Sequence, residues 1–191
     1  MIIERIINKL CYYFRQYHLK SKIGYLGKGC LIGDYYCIDG KQLFIDDNVG
    51  IADGAWIKAS SVLNNDDVEL RIGEGCRIGR FNEIYATKSI ILERKVLTAE
   101  RVYISDNSHG YSCPETAIMD QPLVQNNPVR IGEGSWLCAG VAVLGVNIGK
   151  HCIIGANAVV TCNIPDYSIA VGVPAKVIKR YDFNQKKWVK V

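Results

Sequence analysis

The chain has 191 residues, of which 49% are hydrophobic and 22% charged, a composition that argues against a disordered chain. Its 24 Ile and 17 Val outnumber its 12 Leu, and with 18 Gly this balance favours strands and turns over a helical bundle. No apolar run approaches the roughly 18 residues that span a bilayer, and the N-terminus lacks the apolar core and cleavage site of an export signal. A single domain in the cytoplasm is expected.

The net charge of +4 is unevenly distributed. Residues 1–25 carry five basic residues against one acidic, and residues 176–191 carry six against one, whereas residues 26–175 carry 12 against 17. An acidic body with basic ends does not resemble a nucleic-acid-binding surface, so no nucleic-acid partner is expected. The basic ends suit phosphates or anionic lipid, or are simply solvated.

Residues 1–25 begin with apolar residues at helical spacing, which predicts an amphipathic helix of about four turns. We expect this helix to cap the open end of the domain that follows. The alternative is a basic amphipathic helix in weak association with a membrane surface. The apolar residues are Ile2, Ile3, Ile6, Ile7, Leu10, Phe14 and Tyr17.

From Leu26 onward, aliphatic residues recur with a period of six. Of 18 successive steps, 14 are of six residues. The residue after the aliphatic is often Gly, which a tight corner needs, and the fifth position of the hexad is usually small. The aliphatic positions are Leu26, Ile32, Ile38, Ile45, Ile51, Ile57, Leu63, Ile72, Ile78, Ile84, Ile90, Val96, Val102, Ile131, Leu137, Val143, Ile148, Ile154 and Val160.

A six-residue period fits a short strand and a corner, repeated, because one aliphatic per hexad can be buried only if the coils stack. At three hexads per coil, the chain makes about six coils. We therefore predict an all-β fold with a repeat over 26–164, a loop insertion over 105–130, and a C-terminal tail over 165–191. The end of the tail, 181–191, is expected to form one short strand or a packed extension anchored by Trp188.

The eight cysteines form no C-x-x-C pair, which argues against a zinc ribbon or a thioredoxin-type site. Without an export signal, free thiols are the better prediction. Cys30, Cys76 and Cys152 fall on the small fifth position and are interpreted as structural fillers.

Four hexads in particular, IGEGCR (72–77), IGEGSW (131–136), IGKHCI (148–153) and IGANAV (154–159), resemble the hexapeptide-repeat acyltransferases. The resemblance covers residues 26–178. It implies a left-handed parallel β-helix and a homotrimer whose active sites lie between adjacent solenoids. Fold alone does not define the chemistry.

The long step from Val102 to Ile131 carries the best catalytic candidate, His109. Long loops in compact domains are usually functional. Transfer of an acetyl group from a thioester to a sugar hydroxyl needs a base near neutral pH, and histidine suits that task. Asp106 is either an orienter of the imidazole or the cap of a turn.

The loop sequence ISDNSHGY (104–111) is similar to that of bacterial surface-polysaccharide O-acetyltransferases, including lipopolysaccharide-biosynthesis members. This resemblance implies that His109 is the general base and that Asn82 binds the sugar acceptor, although Asn82 could equally be a turn asparagine. It also implies acetyl-CoA as donor, with no metal. The residues matching the family's donor contacts are Ala139, Ala156, Thr161, Lys176 and Lys179.

Four alternatives stay open. A metal enzyme like the γ-class carbonic anhydrases would need all three histidines, His18, His109 and His151, which lack ligand spacing. A ping-pong enzyme could use Cys113, four residues from His109. The same fold could also acetylate an amino sugar, or serve as a non-catalytic scaffold.

Overall fold

The computed structural model of the protein describes residues 2–61 and 67–191, with side chains from residue 10 onward except those of 11 and 12. A helix, α1 (Ile2–Lys22), precedes a chain of short strands that visit three faces in turn. From β1 to β19, the strands on the three faces pair in parallel with the strand one coil further along, which is the topology of a parallel β-helix.

The three faces are continuous ladders, and one long strand, β3 (Cys37–Ile45), turns the corner between the first and the third. The first face contains β1 (Ile23–Leu26), the end of β3 (Cys37–Ile45), β6 (Glu69–Ile72), β9 (Ser89–Leu92) and β14 (Val129–Ile131). The second contains β2 (Leu31–Ile32), β4 (Gly50–Ile51), β7 (Arg77–Ile78), β10 (Leu97–Thr98), β15 (Trp136–Leu137), β17 (Ile153–Ile154), β19 (Ser168–Val171), β20 (Lys176–Asp182) and β21 (Lys187–Lys190). The third contains the start of β3, β5 (Trp56–Ala59), β8 (Glu83–Ala86), β11 (Tyr103–Ser105), β16 (Ala142–Leu144) and β18 (Val159–Val160).

The number of coils agrees with the prediction. Six coils run from β1 to β18. In the sixth coil, the first face is represented by Ile148, which forms an isolated parallel bridge with Ile131. The parallel stacking continues past the expected end of the repeat at 164, because Ile164 bridges to Ile148 and β19 pairs in parallel with β17. A partial seventh coil therefore extends the solenoid to Val171.

The core is formed by the aliphatic residues of the repeat, and the repeat positions within the described residues are buried apart from the half-buried Leu26. Leu63 lies outside the described residues. The register shifts at one coil: Ile72 and Ile84 stack on Leu92 and Ile104, not on Ile90 and Val102. The first and fifth hexad positions both point inward, so an aliphatic at either one preserves the six-residue spacing.

Glycines of the repeat serve two different purposes. At the second position the neighbouring coil is too close for a side chain: a Cβ on Gly79 would overlap the Ala99 backbone, and one on Gly132 would overlap the Gly149 backbone. Positive φ angles fall instead on the fourth position, as at Gly75 (φ 71°). A glycine there adopts the left-handed conformation without steric cost.

The N-terminal helix contacts the first coil through the face opposite its predicted apolar stripe. Leu19 is fully buried, and Arg15 pairs with Asp34 (2.6 Å) on the first coil. Phe14 and Tyr17, two members of the stripe, are instead 75% and 78% exposed. Among the described side chains, the expected cap is thus formed by Arg15 and Leu19, and not by Phe14 and Tyr17 of the stripe. The side chains of Ile2, Ile3, Ile6 and Ile7 lie outside the described residues.

The tail forms a hairpin and not one short strand. β20 runs antiparallel to β19, and β21 runs antiparallel to β20, so the tail closes the end of the second face. The Trp188 ring packs edge-to-face on Tyr181, with ring centroids 5.4 Å apart. This contact joins the two strands of the tail hairpin, β20 and β21.

Candidate active site

The long loop is an ordered hairpin at the corner between the third and first faces. It extends from the end of β11 to the start of β14 and contains β12 (Asn107–His109), a 3₁₀ helix (Ile118–Asp120) and β13 (Leu123–Gln125). His109 pairs with Leu123 across the two antiparallel strands. It ends β12 with an exposed side chain, so its imidazole is open to an incoming substrate.

The base of the hairpin is attached to the coil below it by the carboxylate of Asp106. This group is fully buried and accepts hydrogen bonds from the backbone N–H groups of Thr87, Lys88 and Ser89, each at 2.8 Å. Its further donors are the Thr87 hydroxyl and the Asn107 side chain. The structure therefore gives Asp106 the role of a corner cap. The cap closes the Thr87–Ser89 corner and not the turn around Gly110.

The tip of the loop is held by one side-chain amide. Gln121 donates to the carbonyl groups of Cys113 and Thr116 and accepts from the Cys113 N–H. The Thr116 hydroxyl donates to the Cys113 sulfur (3.4 Å), and this hydrogen bond lowers the pKa of the exposed Cys113 thiol. Cys113 therefore has the character of a reactive thiol, and it lies in the tip turn beyond the paired strands.

Asn82 lies inside the solenoid and does not face a groove. Its side chain is fully buried and donates to the carbonyl group of Ala99 (2.7 Å) on the next coil. Its Oδ1 atom is buried and has no hydrogen-bond partner among the described residues. In this conformation Asn82 joins two corners, which agrees better with the turn-asparagine alternative than with acceptor binding.

The predicted donor residues are divided between two corners and the strand β20. Ala139 and Ala156 are exposed and stacked at the corner between the second and third faces, where the Asn157 N–H donates to the Ala139 carbonyl (2.9 Å). The turn that ends at Ala175 stacks on this column, because the Ala175 N–H donates to the Val159 carbonyl. Lys176 comes directly after that turn and begins β20. Thr161 lies at the corner that carries the hairpin, and Lys179 is on β20, opposite Ile169.

An aromatic groove on the third face was not predicted from the sequence. Two cavities of about 430 and 400 Å³ share Phe81 and Glu83, and Tyr103 lines the first and Trp56 the second. Trp56, Glu83 and Tyr103 are register partners on successive strands. The six-residue repeat of aliphatic residues identifies only the positions that point into the core. It therefore gave no indication of these outward-pointing residues. The stacking of three coils is what brings them together.

The groove adjoins the hairpin. Tyr103 lies on the strand that leads directly into the hairpin, and the Tyr85 carbonyl accepts a hydrogen bond from the Asn107 side chain (3.3 Å). Tyr85 also packs edge-to-face on Trp56, with ring centroids 5.3 Å apart. A chain of contacts therefore connects the groove with the base of the strand that ends at His109.

The three histidines occupy different elements. His18 is on α1, His109 ends β12, and His151 is at a corner where its ring stacks on Tyr167 (5.7 Å). In the described ranges, 2–61 and 67–191, no three His, Cys, Asp or Glu side chains are grouped so that they could hold a metal ion.

Comparison with known proteins agrees with the repeat. Residues 128–162 match the family model described as the hexapeptide repeat of succinyl-transferase. The chain is 40% identical over 138 residues to a protein of Mycobacterium tuberculosis named as an acetyltransferase, aligning 71% of this chain with 45% of that protein. It is 34% identical over 124 residues to WbbJ of Escherichia coli, named as a lipopolysaccharide biosynthesis O-acetyl transferase, aligning 61% of this chain with 63% of WbbJ.

Solved structures show the same fold. The crystal structure of AntD, an N-acyltransferase from Bacillus cereus in complex with dTDP and 3-hydroxybutyryl-CoA, superposes with a TM-score of 0.71 at 19% identity and covers 90% of each chain. The predicted fold class, an all-β left-handed parallel β-helix, is thereby confirmed. The resemblance of this chain to the hexapeptide-repeat acyltransferases, inferred from its hexads, is confirmed as well.

Proposed function

We propose that the protein transfers an acetyl group from acetyl-CoA to a sugar hydroxyl in the biosynthesis of a bacterial surface polysaccharide, with His109 as general base. The observation that carries this proposal is the exposed imidazole at the end of β12, on a hairpin whose base is anchored in the core. The names of the relatives support acetyl transfer, and the name of WbbJ supports a hydroxyl acceptor. We further propose that the protein acts in the cytoplasm as a homotrimer.

In the proposed step, His109 accepts the proton of the acceptor hydroxyl while that oxygen bonds to the thioester carbonyl carbon. The carbon–sulfur bond then breaks, and the imidazolium returns the proton to the departing CoA sulfur. Backbone N–H groups would stabilise the oxyanion that forms between these events. General acid–base catalysis of this kind contributes about 10²–10⁴ to the rate.

We propose that the donor lies along the corner column of Ala139 and Ala156. Small exposed residues there leave the backbone accessible to an extended thioester arm. Lys176, exposed directly after the same column, would provide a positive charge for phosphate groups. Thr161 lies at the corner that carries the hairpin, and Lys179 pairs with Ile169 further along β20, so their contribution is proposed through the neighbouring subunit of a trimer. AntD, in its complex with 3-hydroxybutyryl-CoA, is an example of the same fold with an acyl-CoA.

The acceptor sugar is proposed to bind in the aromatic groove. Rings such as Phe81 and Tyr103 stack on the apolar faces of pyranoses, and the Glu83 carboxylate accepts hydrogen bonds from their hydroxyl groups. Replacement of Phe81 by Ala should raise the KM for the acceptor about fivefold, the loss of about 1 kcal/mol of ring contact. Tyr25→Ala is a matched control, because both rings are 49% exposed and Tyr25 lies on the first face.

The decisive experiment measures free CoA chromatographically with acetyl-CoA and a panel of sugar acceptors. A thiol reagent is unsuitable because the exposed Cys113 and Cys162 would react with it. His109→Ala should lower kcat by about 10²–10⁴ with little change in the KM for acetyl-CoA, while His18→Ala should retain activity. If His109→Ala keeps most of its activity, His109 is not the base.

Two competing chemistries have their own signatures in the same assay. Cys113→Ala should stay active; an inactive variant, together with an acetyl thioester on wild-type Cys113, would favour the ping-pong reaction.

An amino sugar is the second acceptor class, and the fold shared with an N-acyltransferase is the reason to include it. Neutral hydroxylamine cleaves an ester product and leaves an amide intact, which separates the two products.

A further inference from the structure

The N-terminal helix presents an apolar stripe that the solenoid does not cover. Leu10, Phe14 and Tyr17 follow one another at helical spacing and are 64%, 75% and 78% exposed. The buried Leu19 and the ion-paired Arg15 lie on the other side of the helix, against the first coil. The orientation of α1 is therefore set by contacts that turn the stripe away from the protein core.

The charges around the stripe indicate what could cover it. Residues 1–25 carry five basic residues and one acidic residue. Lys20 and Lys22 are exposed, and at about 100° per residue Lys20 borders the stripe next to Tyr17, while Lys22 lies beyond its other edge, near Arg15. A helix with an aromatic and aliphatic face flanked by lysines is the pattern of a helix that lies in the plane of an anionic bilayer surface.

We infer that α1 binds the protein to anionic lipid, with the stripe in the headgroup region and the lysines near lipid phosphates. No helix within residues 2–61 and 67–191 is long and apolar enough to cross a membrane, so the contact is a surface one. Among the described side chains, those of Arg15 and Leu19 in the second half of α1 contact the first coil, and the hairpin leaves the solenoid three coils further along. The inference rests on the helix alone and does not depend on the acetyl-transfer chemistry.

The test is sedimentation of the full-length protein with phosphatidylcholine vesicles that contain or lack about one third phosphatidylglycerol. The wild type should bind the anionic vesicles and bind neutral ones weakly. Phe14→Ser with Tyr17→Ser should weaken binding about tenfold or more, because two rings leave the bilayer. Lys20→Gln with Lys22→Gln should weaken it about 30-fold, or about fivefold for each lysine, on anionic vesicles only.

Tyr111→Ser is the matched control, because Tyr111 is 77% exposed but lies in the hairpin, so this variant should bind like the wild type. The competing occupant is a second copy of the chain, and analytical ultracentrifugation separates the two. If the double ring variant dissociates the oligomer and the wild type ignores anionic vesicles, the stripe is a subunit interface and the inference is wrong. CoA release from a water-soluble acceptor, measured in parallel, should be unchanged in all helix variants.

Discussion

Removal of the Asp106 carboxylate should detach the hairpin from the solenoid. In Asp106→Ala, the N–H groups of Thr87, Lys88 and Ser89 lose their acceptor at a corner where Asp106 and Thr87 are fully buried. An unsatisfied buried donor costs about 1–3 kcal/mol. Thr87 is fully buried, whereas Lys88 and Ser89 are only partly buried, so we predict a loss of about 2–3 kcal/mol in the free energy of unfolding. This loss corresponds to a fall of about 4–12 °C in Tm for a chain of this size.

Asp166 provides a matched control, because its carboxylate also accepts a hydrogen bond from a backbone N–H of the neighbouring coil. Asp166 accepts one backbone N–H, from Lys150 (2.9 Å), and lies at an exposed corner. Water can replace that acceptor, so Asp166→Ala should cost no more than about 1 kcal/mol. Asp106→Asn should fall between the two, because the amide keeps one acceptor oxygen and turns an NH₂ group toward the remaining donors.

Thermal unfolding and hydrogen exchange measure the effect directly. In Asp106→Ala, the amides of residues 87–89 and of β12 should lose protection, and kcat should fall because His109 is no longer held in position. The result that would refute this reasoning is a variant with wild-type stability and exchange but an altered pH profile of kcat. That outcome would make Asp106 an orienter of the imidazole.

Three further predictions concern the thiols, the donor column and the stacked corners. Cys113 should react first with iodoacetamide at pH 8, because its pKa is lowered, whereas burial raises the pKa of Cys76 to about 11 and should leave it unlabelled until the protein is denatured, as mass spectrometry would show. Lys176→Ala and Lys179→Ala should each raise the KM for acetyl-CoA at nearly constant kcat, less so at high salt, and a loss confined to kcat would contradict a binding role. Gly132→Ala should lower Tm by several degrees, because its Cβ would overlap the Gly149 backbone, whereas Gly50→Ala, which would meet only the flexible Arg77 side chain, should cost less.

The solenoid could be predicted from the sequence because its core obeys one simple rule. An aliphatic residue every six positions specifies a strand and a corner, and Ile51, Ile57 and Ile78 are all buried as expected. The rule is degenerate at one point. Since the first and fifth hexad positions both point inward, Ile90 and Val102 continue the spacing although Leu92 and Ile104 continue the stack. Spacing alone cannot tell these two rows apart.

The helix shows a different limit of sequence reasoning. Its periodicity identified an apolar stripe, and the usual expectation is that such a stripe is buried. The structure buries Leu19 instead and leaves Phe14 and Tyr17 exposed. Periodicity defines which residues share a face, but the contacts at the C-terminal end of the helix decide which face meets the first coil.

For the candidate active site, sequence reasoning identified a candidate base but not its surroundings. A histidine in a long excursion of a regular repeat is visible in one dimension, and the structure leaves His109 exposed on a hairpin strand. The groove of Trp56, Glu83 and Tyr103 is assembled from residues separated by about one coil each, so it exists only once the coils are in register. The buried position of Asn82 likewise depends on a contact with the next coil, at Ala99.

The hairpin combines two requirements that usually conflict, exposure to substrate and a defined position. An exposed loop histidine would ordinarily be free to move, and mobility weakens catalysis that depends on orientation. Here Asp106 and His109 are only three residues apart, yet the first is fully buried with its carboxylate saturated by donors and the second ends the strand in solvent. The buried carboxylate transfers the rigidity of the solenoid corner to the strand, and the antiparallel partner β13 extends that rigidity as far as His109. Beyond His109, the contacts within the tip come from Gln121 rather than from the core. The tip is thus held by its own hydrogen bonds, whereas the position of the proposed base depends on the buried Asp106 carboxylate and on the pairing of β12 with β13.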